Sequence, residues 1–345
     1  MSGKERYSRI DAFGITSVIL LIFLTLLVVA VSADSIERTE ERQRKEATER
    51  IRQGVEEYAQ SIDISDLSID PADLGRIFSD AIKDTPYLFY VSNNLGYTYR
   101  QGGCVVAVTP KYTMEKEEAK EAVNYCKNEI NKMAKLSEPC QSELERLIFA
   151  HDLIAQKFMY DTTLESNNLY SFLKSGRGTC QGYTWTYMAL LREMGIECRY
   201  VASDTILHIW LAVKIDGEWY YSDVTWDDPP NKEGSGEYNR AHLLFSDEKA
   251  DMDGYLDRYG SQSIRCQITK YDGKDLSEKF PFCTLWGDVD HDGEVTLYDL
   301  LLSRLYLENK SALSQDVCLI CLDSDSDVRI DQRDAEYIRR AILEQ

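Results

Sequence analysis

The chain has 345 residues, with 59 acidic against 39 basic side chains and a formal charge of −20. That balance excludes nucleic acid as a partner and opposes adhesion to anionic membrane surfaces, because both are themselves negative. The length leaves room for two or three domains.

Residues 1–33 begin with Lys4, Arg6 and Arg9 and then run without charge from Ala12 to Ala33. This is the pattern of an export segment, and Val31-Ser32-Ala33 before Asp34 reads as a small-residue cleavage site. The same run would also cross a bilayer as a helix of about 33 Å. Cleavage and retention as a single membrane anchor both stay open, and either places the rest of the chain outside the cell or at its surface. Residues 34–62 are rich in Glu, Arg and Gln, which predicts a solvated helical stalk rather than a core element. A small α/β accessory region is expected over 63–110, with strands at Tyr87–Val91 and Cys104–Val108 and a stop at Pro110. A charged amphipathic helix follows over Thr113 to Ala134.

Residues 111–285 contain the run Gly178-Thr179-Cys180-Gln181-Gly182-Tyr183, then His208 in Leu207-His208-Ile209-Trp210, then Asp223 in Ser222-Asp223-Val224-Thr225-Trp226. A cysteine, a histidine and a carboxylate in that order supply a thiol nucleophile, its base and the group that orients the base. The thiol is a poor attacker at neutral pH, so a neighbouring imidazole must hold it as thiolate. Apolar residues at helical spacing from Tyr183 to Met194, stopped by Gly195, place Cys180 at or near a helix N-terminus, where partial positive charge favours an anion. Cys198 to Ala202 reads as a strand and His208 opens another. Asp216-Gly217 makes a hairpin turn, so residues around 209 pair with residues around 224 and His208 and Asp223 end on neighbouring strands.

These residues, together with His151-Asp152-Leu153, Asn168-Leu169-Tyr170-Ser171-Phe172-Leu173 and Leu191-Arg192-Glu193-Met194-Gly195-Ile196, resemble the transglutaminase-like superfamily over His151 to Pro229. The resemblance implies an α+β fold with a papain/transglutaminase-like core, in which the helix bearing the nucleophile packs on an antiparallel sheet. It implies Cys180 as nucleophile, His208 as general base and Asp223 as orienting carboxylate, with a protein or peptide amide as substrate. It leaves hydrolysis and transamidation open. The other cysteines weighed, Cys104, Cys126, Cys140, Cys198, Cys266 and Cys283, read as small buried hydrophobes. His151 lies on an apolar helical face and reads as structural, and His242 has no motif around it. Asp227 and Asp228 could stand in for Asp223 but fall beyond the paired part of the hairpin. Pro229 to Glu237 is a loop placed to rim the site, and 240–285 should complete the domain. The spacing of nine cysteines gives no disulfide framework.

Residues 286–345 carry an internal repeat. Asp288, Asp290, Asp292, Glu294, Thr296 and Asp299 occupy positions 1, 3, 5, 7, 9 and 12 of an acidic loop, and Asp323, Asp325, Asp327, Arg329, Asp331 and Asp334 occupy the same positions of its copy. Carboxylates so spaced, with a backbone carbonyl at position 7 and a water-mediated contact at position 9, match a hard cation that takes six to eight oxygens, so two calcium sites are expected. Gly293 supplies the turn at position 6, whereas the copy has Val328 there and is expected to bind more weakly. Each loop is followed by a helix, Leu300 to Leu307 and Ala335 to Leu343, and Pro281 to Gly287 cannot make a helix entering the first. Loop plus exiting helix, twice, resembles a type I dockerin, which implies docking to a cohesin domain on an extracellular scaffold of the cellulosome kind. The implied recognition residues are Leu297, Tyr298, Gln332 and Arg333. Cys318-Leu319-Ile320-Cys321 lacks the second pair of a structural zinc site and reads as a disulfide or as plain burial. The expectation is an exported thiol enzyme displayed through a calcium-dependent segment, and the alternative is a catalytically silent binding module displayed in the same way.

Overall fold

The computed structural model describes residues 37–137, 140, 142–163, 168–228, 239–260, 264–274, 276, 286–290, 292–308, 319–324 and 330–344. The expected export segment, the loop from Pro229, His291, Cys283, Cys318 and the second-loop positions Asp325, Asp327, Val328 and Arg329 lie outside the described residues. Among the described residues no helix is long and apolar enough to cross a membrane. The chain divides into two compact units, one running to Ala81 and including Asn93–Lys111, the other made of Ile82–Ser92 and everything from Tyr112.

In the first unit, helix α1 (37–56) precedes strand β1 (Ile62–Asp63), helix α2 (Pro71–Ile82) and the strands β2 (Val91–Tyr99) and β3 (Val105–Tyr112). The sheet order is β1-β3-β2, with Ile62 opposite Val108. The solvated stalk is corrected here. Ala47, Ile51 and Val55, spaced i, i+4, i+8, are 0% exposed, so one stripe of an otherwise charged helix is core. Arg44 reaches Asp73 of α2 at 2.9 Å, and Arg52 Nε donates to the carbonyl of Ala81 at 3.2 Å. The helix is therefore docked along its length. Pro110 does not end the strand, since β3 runs on to Tyr112. β1 meets β3 only at Ala107 and Val108, so the missing N–H of Pro110 breaks no bond on that side.

In the second unit the expected strand at Tyr87–Val91 is replaced by a 3-10 turn over Pro86–Leu88, where proline fixes φ at the first position. Helices α3 (Lys116–Lys135) and α4 (Glu143–Lys157) follow, then strand β4 (Met159–Tyr160), helix α5 (Leu169–Ser175), strand β5 (Arg177–Gly178) and helix α6 (Cys180–Glu193). Local chemistry sets these boundaries. Ser142 caps α4 by accepting from Glu145 N at 3.1 Å, and Asn168 and Ser171 form a capping box on α5. Strands β6 (Cys198–Ser203), β7 (His208–Ile215), β8 (Glu218–Ser222) and β9 (Tyr259–Gly260) make an antiparallel sheet in the order β8-β7-β6-β9. The pairs Ile215↔Glu218 through Leu211↔Ser222 keep the register read from the Asp216-Gly217 turn. Helix α6 packs on α3, α4 and α5 and also on β6 and β7. Two short helices, α7 (Val224–Asp227) and α8 (Asp247–Asp253), complete this part.

The segment from Gly287 has a core of its own, made by Val289, Val295, Leu300, Leu302, Leu322, Ala335 and Ile338. It is built from helices α9 (Leu297–Glu308), α10 (Leu319–Leu322) and α11 (Gln332–Leu343). Gly287 is left-handed at φ +91°, and a Cβ there would come within 3.2 Å of Ile338 Cγ1 and 3.3 Å of Val295 Cγ1. Cys321 is disulfide-bonded.

Candidate active site

Cys180 is the first residue of α6 and is half-buried. Its helix is tied to the sheet along one face. Thr184 Oγ1 donates to the carbonyl of Ile209 at 3.0 Å, Tyr187 Oη and Ser222 Oγ lie 3.1 Å apart, and the Tyr183 hydroxyl donates to Asp228 Oδ2. Positions 180, 183, 184 and 187 follow helical spacing, so the contacts that register α6 against β7 and β8 also aim Cys180. Thr179, the N-cap, makes no side-chain cap bond.

His208 starts β7 and is buried. Its Nε2 lies 2.6 Å from Asp223 Oδ2, and the Cys180 side chain is close enough to the ring to help raise its pKa. Burial alone would lower the pKa of this imidazole, but the charge of Asp223, the hydrogen bond to it and the contact with Cys180 raise it to about 10. The imidazolium is thus the form present at neutral pH, which is the partner a thiolate needs.

Asp223 lies one residue past the end of β8 and is the N-cap of α7. Its Oδ1 accepts Thr225 N at 3.0 Å and Trp226 N at 3.4 Å, which leaves Oδ2 for the imidazole. Burial would raise its pKa, but His208 and the hydrogen bond from Tyr255 hold it below the usual carboxylate range. Asp227 and Asp228, weighed as substitutes, are engaged elsewhere. Asp228 takes the Tyr183 hydroxyl, and Asp227 takes His151 Nε2 at 3.0 Å and His242 Nδ1 at 2.9 Å.

Several contributors were invisible in the motifs. The Tyr160 hydroxyl, on β4 and level with Gly178 in β5, is raised in pKa by burial and then by Cys180 and Asp223, so it stands protonated beside both. Trp226 stacks on His208 with centroids 5.2 Å apart and is 38% exposed, forming one wall of the site toward solvent. Trp210 stacks on the same ring at 5.7 Å. Tyr255 closes the aromatic group behind them. His151 was read as a histidine on an apolar face. It is instead the centre of a buried polar chain, with Nδ1 3.0 Å from Asp152, Nε2 on Asp227, and Arg240 Nε donating to Asp152 at 3.1 Å. His242 lacked a motif, yet its carbonyl accepts the Asp223 N–H at 2.8 Å. Alternation and spacing reveal none of these, because they arrive from segments far apart in sequence.

In the first acidic loop, oxygens of Asp288, Asp290 and Asp292 lie within 4.8 Å of one another. Asp299 stands outside that cluster and closes the loop, accepting Val289 N at 2.7 Å through Oδ1 and Thr296 N at 2.7 Å through Oδ2. Gly293 supplies the turn with φ +91°. In the second loop, Asp331 caps α11 and forms a capping box with Asp334.

Residues 130–224 match the family model of the Transglutaminase-like superfamily. Three solved structures overlap parts of the chain: a TGase crystal structure (15% identity, TM-score 0.27, covering 41% of this chain and 46% of that one), a "putative protease" from Parabacteroides distasonis (14%, 0.28, 52% and 41%) and a "putative cysteine protease" from Cytophaga hutchinsonii (13%, 0.26, 44% and 64%). The chain thus spans less than two thirds of each. No curated protein matches it in sequence.

Proposed function

From a transglutaminase-like superfamily domain that gathers Cys180, His208 and Asp223, we propose an exported thiol enzyme that transfers the acyl group of protein or peptide amides. The observation that carries this reading is the unbroken chain of contacts from the Cys180 thiol through the His208 ring to Asp223 Oδ2. The His208 imidazolium holds the proton that the thiol has given up, and the thiolate attacks the amide carbonyl carbon. The developing oxyanion meets backbone N–H groups at the start of α6, and the protonated Tyr160 hydroxyl, which senses the charge of Cys180, is a candidate side-chain donor. The tetrahedral adduct collapses to a thioester as the imidazolium gives its proton to the departing amine. Water or a second amine, deprotonated by His208, then attacks the thioester and releases Cys180.

The C-terminal segment fits a calcium-dependent docking role. Three carboxylates lie within 4.8 Å of one another in a loop turned by the left-handed Gly293, an oxygen donor set of the kind calcium takes, to which the Glu294 carbonyl and a water on Thr296 would add. Burial and then the neighbouring Asp299, Asp292 and Asp288 hold the Asp290 carboxyl above its usual range, a charge excess that a cation would relieve. Leu297 and Tyr298, 71% and 55% exposed at the start of α9, are the residues this reading assigns to contact with a cohesin partner.

Incubation of the calcium-loaded chain with casein and a labelled primary amine tests the enzyme. Amine incorporation or casein fragments, lost in Cys180→Ser, are expected. Neither product, with Cys180 alkylated by iodoacetamide only as an ordinary free thiol, would remove the reading in favour of a silent binding module.

A further inference from the structure

The family match ends at residue 224, but the hydrogen-bond shell of Asp223 does not. Its Oδ2 accepts two donors, His208 Nε2 at 2.6 Å and the Tyr255 hydroxyl at 2.8 Å. Tyr255 is fully buried, and its place is fixed by the way α8 begins and ends. Ser246 caps the start, accepting Lys249 N at 3.2 Å, while Asp272 accepts Ser246 N at 2.9 Å. At the other end Gly254 turns left-handed at φ +88°, its N–H bonds Ala250 O, and the Tyr255 N–H bonds the same carbonyl at 2.9 Å. That is a Schellman-type stop, which reverses the chain and turns the ring of the next residue inward. The ring is then held on all sides: Trp226 at 4.3 Å, Trp210 at 4.8 Å, Phe245 at 5.0 Å and His242 at 6.0 Å between centroids.

We propose that Tyr255 is a positioning residue of the Cys180–His208–Asp223 centre, whose hydroxyl fixes the rotamer of Asp223 and shares the carboxylate oxygen on which His208 leans. The proposal rests on the enzyme reading above. A second donor on Oδ2 spreads the negative charge that the imidazole feels, so Tyr255 sets how strongly His208 holds its proton. The phenol can do this because it stays protonated. Burial and then the adjacent carboxylate push its pKa far above the ordinary value. The other titratable groups facing the pair are Cys180 on α6, Tyr160 on β4 and His242, with Asp227 and Asp253 beyond them.

The test uses the full chain labelled with 15N-histidine, of which there are four, and the pH titration of the His208 ring by NMR. Tyr255→Phe keeps the ring and removes the donor, so the His208 midpoint should rise by roughly half a unit. Fluorotyrosine at 255, a stronger donor of nearly the same shape, should lower it. Turnover of Tyr255→Phe should fall about tenfold in kcat with KM little changed, as for an interaction that acts on the reacting geometry and not on substrate binding. A His208 midpoint that stays put in both variants overturns the proposal while leaving the enzyme reading intact. A wild-type His208 that titrates as an isolated imidazole, with Cys180 alkylated only as a free thiol, removes the enzyme reading and this proposal with it. Opposite shifts in the two variants cannot come from a ring that merely packs, because packing is the same in both.

Discussion

His151 should make the stability of the transglutaminase-like part fall as pH rises above neutrality. The ring is 0% exposed between Asp152 and Asp227, each 3.0 Å from one of its nitrogens. Burial would lower its pKa, but the hydrogen bonds to Asp152 and Asp227 and their charges raise it from 6.5 to about 9. At about 1.4 kcal/mol per unit this displacement is worth about 3 kcal/mol of folding free energy. Because the folded value lies above the unfolded one, the contribution is complete below pH 6.5 and is lost as pH climbs through about 9. His208 acts with the same sign and titrates near 10, so the His151 share must be isolated by difference. Urea unfolding of wild type and His151→Gln, followed by the fluorescence of Trp185, Trp210, Trp219 and Trp226, provides that difference between pH 6 and 10. Glutamine can hydrogen-bond a carboxylate but brings no charge. The gap should be about 3 kcal/mol at the acid end and close toward zero at the alkaline end. A gap of constant size across the range would show that His151 is neutral in the folded protein and refute the argument.

Asp223→Asn should lower kcat by a hundredfold or more with KM nearly unchanged, roughly the scale expected when an orienting carboxylate loses its charge. It should also move the His208 titration from about 10 toward 6.5, read in a pH–rate profile. Gly287→Ala should destabilise the C-terminal segment by roughly 1–3 kcal/mol through positive φ and contact with Ile338 and Val295. A thermal melt would detect this, and terbium titration should show the first loop still binding. Chelating calcium should lower the melting temperature of the same segment, and an unchanged melt would count against the metal site. In the first unit, Gly54→Ala would put a Cβ 2.5 Å from Ile62 Cγ1. A loss of roughly 1–3 kcal/mol is expected by chemical denaturation, since Ile62 is pinned opposite Val108 and has little room to yield.

The sequence made legible what local rules control. Gly195 ends α6, Asp216-Gly217 sets the β7–β8 register, and the helical period from Tyr183 to Met194 places Cys180 at the start of its helix. Proline and charge misled elsewhere. Pro110 suggested a stop although it sits beyond the β1 pairing, and the charges of 37–56 hid the stripe of Ala47, Ile51 and Val55. That stripe obeys helical spacing and was readable, but three aliphatic residues among so many ions carry too little contrast to separate a docked helix from a solvated one. The chain of Asp152, His151, Asp227 and His242 was not readable at all. Its members lie on α4, α7 and the segment after Asn239, and only tertiary folding makes them neighbours.

This division explains why three residues suffice to locate the centre and do not suffice to build it. Cys180, His208 and Asp223 sit at the starts of a helix, a strand and a capped turn, positions that short patterns announce. Asp223 keeps the imidazole charged, but part of what aligns the pair comes from outside the matched residues. Trp226 covers one face of the ring, His242 offers its carbonyl to the Asp223 N–H, and Tyr255 shares Oδ2. Asp223 is where the two sets join. One oxygen holds the first turn of α7 and the other holds the imidazole, so any movement of the segment after residue 224 is felt at sulfur through a single side chain. Substitution of Trp226, which stacks on the ring and is partly exposed, should therefore change the protonation of His208 more than it changes global stability, the reverse of what is expected for core residues far from the site.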